Sequence, residues 1–254
     1  QTLGPKLKLA RANRHIGELE SLFDTFFSDN PHRVEIINND PDRPGLTVRG
    51  VFDRPLPNDV ATVIGDAIHN LRTALDHLAA AAVRSAGQVP TRYTGFPIYE
   101  KEADFDGGHT GKLAGAPPEF ITFVKGLKPY LHPKSGSGGG NIDLWVLTQL
   151  DNLDKHDILL PTVSVGTLPE LIVRNPDGVI KTRIGSTSVS GKGHVNAISI
   201  GGAGLKYEVN GEPTFVVLFE RTGLVDDVEV VALLRRLASV VSKIIADAGA
   251  LKIV

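Results

Sequence analysis

"GDAIHNLRTALDHLAAAAV", residues 65 to 83, places two histidines, an arginine and two aspartates in a segment otherwise built largely from Leu and Ala. At 100° per residue, Val60, Ile64, Ala67, Leu71, Ala74, Leu75 and Leu78 fall on one side, which predicts an amphipathic helix with that side in a core. His69 and Asp76 lie almost opposite, with Thr73 beside them, Arg72 on one flank, and Asp66 and His77 on the other. Ala80 and Val83 extend the stripe of His69 and Asp76, so the second half of the helix is apolar all round. Such a helix is covered on both sides, here by another helix of the chain or by a partner subunit. The polar cluster then sits in a partly desolvated cleft, where charges must be paired or must titrate. It is a structural hydrogen-bond network, a solvated face, or the working parts of a site. On a solvated face, Arg72 and Asp76 form an ordinary i, i+4 ion pair of ~0.3 kcal/mol.

Working outward, Asn58 or Asp59 is placed to cap the start of this helix, and Gly87 to stop it after about Ser85. Upstream, Leu9, Ala12, Ile16, Leu19, Phe23 and Phe26 recur at three- and four-residue steps and predict a helix over 7–27. "HRVEIINND" and "GLTVRGVFD", separated by "PDRPG", read as a β-hairpin. Downstream, residues 88–116 show no clear periodicity and read as a long insertion of the kind that covers or shapes something. "PPEFITFVKGL" is a short helix with Pro at its start, and "HPKSGSGGG" at 132–140 is a flexible linker by composition. A third long helix follows at 141–156. After Pro161 come strand-like pieces, "LIVRN", "VIKTRI", "GLKYEVN" and "TFVVLFE", with turns such as "NPDG" and "NGEP". A last helix, about 226–248, carries Val230, Leu233, Leu234, Leu237, Val240, Val241 and Ile244 on a broad apolar face. The expectation is an α+β chain: a helical part with one hairpin over 1–160, and a β-rich part closed by a helix over 161–254.

The third long helix ends in a second polar cluster, "DNLDKHD" at 151–157. Gln149, Asn152 and His156 share a face, and Asp151 with Lys155 forms another i, i+4 pair. Lys155 and His156 also suit the dipole at a helix carboxyl end. Two antiparallel helices of one bundle would bring the two clusters together.

The net charge of −2 gives no bulk attraction to nucleic acid, so any RNA-binding surface has to be a local patch. The absence of Cys excludes disulfides, thiolate ligands and cysteine nucleophiles. The absence of Met, a start Met included, suggests a processed amino terminus. Without a charged-then-apolar leader or an apolar run of eighteen residues, neither a signal peptide nor a membrane span is expected, and the default location is cytoplasmic.

"GDAIHNLRTALDHLA" followed by "FPI" at 96–98 and "LWVLTQLDNLDKH" resembles a widespread uncharacterised bacterial and actinobacterial family, over about residues 8–160. That resemblance brings no established activity. Arg72 and His77 also have the R-x4-H spacing of HEPN-type ribonucleases, in which two copies of the motif face each other across a homodimer. The resemblance implies metal-independent RNA cleavage, by attack of a ribose 2'-hydroxyl on the adjacent phosphate. His77 would transfer a proton and Arg72 would hold the phosphate, with His69 and Asp76 completing the catalytic set. Asn152, Lys155 and His156 are the candidate binding residues. No cofactor or metal is required, and RNA and a second copy of the chain are the expected partners. Thr73 departs from that family's preference for a more polar residue after the arginine.

Two other classes compete. A metal hydrolase would draw on His69, Asp76, His77, Asp151, Asp154 and His156. His69 and His77, however, stand about 12 Å apart along the helix, and no H-E-x-x-H signature is present. A non-enzymatic homodimer, for assembly or partner binding, would use both clusters to fix the register of a helical interface. The phosphate-loop template fails at "GGHTGKL", because Asp106 and Leu113 stand where Gly and Ser or Thr belong. "GSGGGN" reads as a linker rather than a phosphate cradle, and a G-x-S-x-G elbow is absent.

Overall fold

Alternating helical and extended periods produce an α+β architecture, seen in a computed structural model that describes residues 3–29, 32–40, 43–134, 139–157, 159–168, 170–184, 187–188, 198–220 and 222–250. In chain order the elements are α1 (Leu3–Ser28), β1 (His32–Asp40), β2 (Arg43–Phe52), α2 (Asp59–Ser85), β3 (Tyr99–Lys101), α3 (Glu102–Lys112), α4 (Pro118–Gly126) and β4 (Tyr130–His132). They continue with α5 (Ile142–His156), β5 (Leu160–Leu168), β6 (Glu170–Arg174), β7 (Ile180–Ile184), β8 (Thr187–Ser188), β9 (Ile198–Gly201), β10 (Lys206–Asn210), β11 (Thr214–Glu220) and α6 (Val230–Ala250). Among the described residues, no helix is long and apolar enough to cross a membrane.

Two compact units divide the chain, and neither is a continuous stretch. One comprises Gln1–Glu20, Ala61–Leu159 and Val231–Val254, and the other Ser21–Val60 and Leu160–Val230. The expected boundary at residue 160 is thus one of several crossings: the hairpin β1–β2 belongs with the β-rich unit, and α6 with the helical one.

In the helical unit, α2 is buried along its core face and over most of the apolar run 78–83. Every residue of the expected core face is buried, and so are Ala79, Ala81, Ala82 and Val83 in the second half. Fully burying each of Leu71, Leu75 and Leu78 is worth about 1.5–3 kcal/mol relative to exposure. The helix stops by a Schellman motif: Gly87 takes φ +73°, and the Gln88 N–H donates to the Val83 carbonyl at 3.1 Å. Asn141 caps α5 by accepting the Leu144 N–H at 3.2 Å. Arg235 of α6 grips Glu20 of α1 through two nitrogens at 2.7 and 3.1 Å, and Arg236 pairs with Asp143 of α5 at 3.0 Å.

The segment 88–116, expected to lack regular structure, is in fact ordered into β3 and α3. β3 lies parallel to β4, with α3 and α4 in the crossover between them. The helix α3 escapes a periodicity reading because Gly107, Gly108 and Gly111 dilute its pattern. Only Phe105 and His109 are buried on it, stacked at 4.9 Å one turn apart. Gly108 is required by a close approach, since a Cβ there would lie 2.2 Å from the Tyr99 hydroxyl. The "GGHTGKL" stretch forms the second half of α3 and its cap. Of the expected linker 132–140, residues 135–138 lie outside the described residues.

The β-rich unit holds three small sheets, ordered β1-β2-β9, β10-β6-β7 and β11-β5-β8, whose named pairs are antiparallel. The hairpin pairs Val34 with Gly50 and Ile36 with Val48, while residues 41–42 of its expected turn lie outside the described residues. Alternation along the strands places Leu46, Val48, Leu171 and Val173 in one apolar cluster with Leu205, flanked by Val34, Ile36, Ile184, Ile200 and Phe215.

Candidate active site

The two polar clusters meet. Packing of α2 against α5 within the helical unit puts His69 Nδ1 3.0 Å from Asp151 Oδ1. Asp151 is the buried member, with a side chain 3% exposed against 52% for His69. Its second oxygen accepts from Lys155 Nζ, one turn further along α5. The carboxylate therefore keeps both oxygens bonded after leaving water, which is the condition for burying a charge.

An Nδ1–H donated to Asp151 fixes the imidazole tautomer and leaves Nε2 as the acceptor. Nε2 lies on the exposed side of α2, 3.4 Å from the Thr73 hydroxyl. Asp154 adds a second carboxyl group, held above the usual aspartate range by burial first, and then by the negative charges of Asp151 and Asp66. It fits because residue 65 has no side chain: a Cβ on Gly65 would lie 2.3–2.6 Å from the Asp154 carboxylate.

On the other edge of α2, Asn70 is buried, donates to the Asp66 carbonyl at 2.8 Å, and accepts from Lys8 of α1 at 3.4 Å. His77 is exposed and packs over Gly4 of α1, where a Cβ would stand 2.9 Å from its Nδ1. Between α1 and α5, then, α2 presents Thr62, Asp66, His69 and His77 as exposed positions, with Thr73 half-buried among them. Lys8 stands on one shoulder and Lys155 on the other.

Arg72 and Asp76 form a separate arrangement. Arg72 Nη1 donates to Asp76 Oδ1 at 2.8 Å, Nη2 donates to the Phe96 carbonyl at 2.9 Å, and the arginine side chain is only 11% exposed. Both are bonded to the main chain of Phe96. Of the expected binding residues, Lys155 joins the His69 site, whereas Asn152 and His156 are exposed on another face of α5. Among the described residues, no three His, Asp or Glu side chains are grouped to hold a metal ion.

Three participants escaped the sequence reading of the site: Lys8, Asn70 and Gly65. A sequence signal existed only for Gly65, a helix-weakening residue in the middle of an otherwise strong helix. Comparison with protein-family models, with curated proteins and with solved structures finds no match.

Proposed function

We propose that the helical unit is a metal-independent acid–base site for RNA cleavage, in which His69, oriented by Asp151, moves the proton. The observation that supports this reading is the dyad itself: a buried carboxylate holding one nitrogen of an exposed imidazole. His69 Nε2 takes the proton of a ribose 2'-hydroxyl as its oxygen attacks the adjacent phosphorus, and the 5'-oxygen leaves with a proton, giving a 2',3'-cyclic phosphate. Lys155 supplies positive charge beside the phosphate. Asp154, its carboxyl raised by burial and by the charges of Asp151 and Asp66, is a second carboxyl group beside the dyad, and the leaving oxygen takes its proton from solvent water. In this reading the roles expected for His77 and Arg72 move to His69 and Lys155. Arg72 and Asp76 serve as a strut.

The test is cleavage of an end-labelled single-stranded RNA in excess chelator. His69→Ala lowers the rate by about 10²- to 10⁴-fold, the worth of a positioned acid–base group, whereas His77→Ala changes it by less than about threefold. Wild-type protein that leaves the RNA intact sinks the reading.

A second reading, a homodimeric assembly or partner-binding module, draws support from the Arg72, Asp76 and Phe96 contacts, which are those of a structural device. It predicts no cleavage, and a dimer by light scattering that His69→Ala leaves intact.

A further inference from the structure

The first seventeen residues contain Lys6, Lys8, Arg11 and Arg14 and no acidic residue, in a chain whose net charge is −2. All four lie on α1. On a helical wheel Lys6, Arg14 and Arg11 fall within the solvent-facing arc and all three are exposed, with Glu18, also exposed, between Arg14 and Arg11 in angle but further along the helix. None of the three is ion-paired among the described residues. Lys8, half-buried, lies beyond Arg11 towards the packed side of α1 and reaches α2 at Asn70, the residue next to His69. Gly4, on the same edge, lets His77 pack close to α1. Three exposed cations thus lie on the outer face of α1, and Lys8 links that helix to the α2 strip that carries the two histidines.

We infer that this face of α1 is a docking track for the phosphate backbone of single-stranded RNA, delivering it to His69. The occupant follows from charge complementarity and from continuity with the site. A local concentration of cations on a chain of near-neutral total charge attracts a polyanion only where they cluster. Lys8, on the same helix, stands beside His69, an exposed imidazole held by a buried carboxylate. No aromatic ring lies among Lys6, Arg11 and Arg14 for bases to stack on, so the track binds chiefly through the phosphate backbone. The proposal rests on the RNA reading of the His69 site, yet binding and cleavage fail separately.

The experiment is fluorescence anisotropy of a labelled single-stranded RNA with the full chain, across a salt series. Wild type, His69→Ala and the triple variant Lys6→Glu, Arg11→Glu, Arg14→Glu are compared. A second triple variant, to Gln, removes charge without reversing it, and circular dichroism checks that each protein is folded. With each cation releasing about 0.7 of a counterion from a single strand, the slope of log K against log salt is about −2 to −3 for wild type. It flattens by about 2 in the Gln variant. Affinity falls at least tenfold in the Glu variant. His69→Ala binds as wild type does, and if wild type fails to cleave, the track stands while the catalytic reading falls. Cleavage that survives both triple variants overturns the track and leaves the His69 site standing. Wild type that ignores RNA but binds phosphatidylserine vesicles through α1, using Leu3 and Leu7 on the same face, also overturns the proposal.

Discussion

Arg72 and Asp76, one turn apart on α2, do more together than form an intrahelical ion pair. Asp76 Oδ1 accepts from Arg72 Nη1 and from the backbone N–H of Phe96, both at 2.8 Å, while Arg72 Nη2 returns a bond to the Phe96 carbonyl. Both polar groups of one peptide position are thus clamped by two side chains of a helix. Gly95 allows the approach, because a Cβ there would lie 3.0 Å from Asp76 Oδ1. The clamp fixes the start of the segment that leads into β3, with Phe96 itself fully buried.

Asp76→Ala is therefore expected to cost about 2–3 kcal/mol in urea unfolding, since it leaves a nearly buried guanidinium without its anion. Arg72→Ala costs about the same, and the double variant costs less than the sum by about 1 kcal/mol or more. Proteolysis within 88–98 accelerates in both single variants. A pair on a plain solvated face would show less than about 0.5 kcal/mol and no coupling of this size.

The long elements of the fold were legible in the sequence because their apolar spacing is decided by local geometry. The face running from Val60 to Leu78 is buried as its period requires, and so is the second half of α2 that reads as apolar all round. The hairpin and the strands after Pro161 followed from alternation and turn residues for the same reason. Neither α3 nor the grouping of α6 with the first helices was legible. Three glycines dilute the pattern of α3, which buries only Phe105 and His109, and the partner of an amphipathic face is a tertiary choice that period alone does not specify. In the site, residue types and helix faces were readable, but partners were not. Arg72 and Asp76 read as an ion pair and are one, yet the main chain of Phe96 has no sequence signature. His69 and Asp151, separated by 82 positions, meet only through the packing of α2 against α5.

Gly65 tests that packing through a sign reversal. In the wild-type background Gly65→Ala sets a methyl against the Asp154 carboxylate and lowers stability by about 1 kcal/mol, the displaced contact outweighing the gain in helix propensity. In an Asp154→Ala background the same change meets no carboxylate and raises stability by up to about 1 kcal/mol. Thermal unfolding of the four proteins reads both signs. Destabilisation of equal size in both backgrounds would mean that Asp154 does not lie over Gly65.

Asp154 also gives a pH signature. Its carboxyl is raised by burial and by neighbouring Asp151 and Asp66, so the folded protein binds this proton more tightly than the unfolded chain does. Between the ordinary aspartate value and the raised one, the folded state holds more protons, and stability falls as pH rises through that window. Above it the ionised group is a fixed cost. Asp154→Asn is therefore more stable than wild type at pH 7, by about 1–2 °C in Tm after allowance for solvent screening of a half-buried group. The advantage shrinks as pH falls and is gone below about pH 3.8. A Tm difference independent of pH would remove the carboxyl's titration as its cause.

The dyad separates orientation from charge through two partners of the same carboxylate. Asp151→Asn keeps the volume and the burial, but its side chain can present an N–H to His69 Nδ1, which favours the tautomer with the proton on Nε2. On the proposed RNA-cleavage reading, the nitrogen that would accept a proton is then blocked, so kcat falls by about 10²- to 10⁴-fold with little change in KM. Stability falls by about 1–2 kcal/mol, since the lost charge served two bonds. Lys155→Ala removes the other partner of Asp151 and leaves the His69 contact in place. It raises KM by less than about tenfold and leaves the pH dependence of kcat where it was. The decisive comparison is the pH profile, because a merely structural Asp151 would lower kcat through loss of folded protein at every pH alike. An orienting Asp151 lowers kcat per folded molecule and changes the shape of the profile.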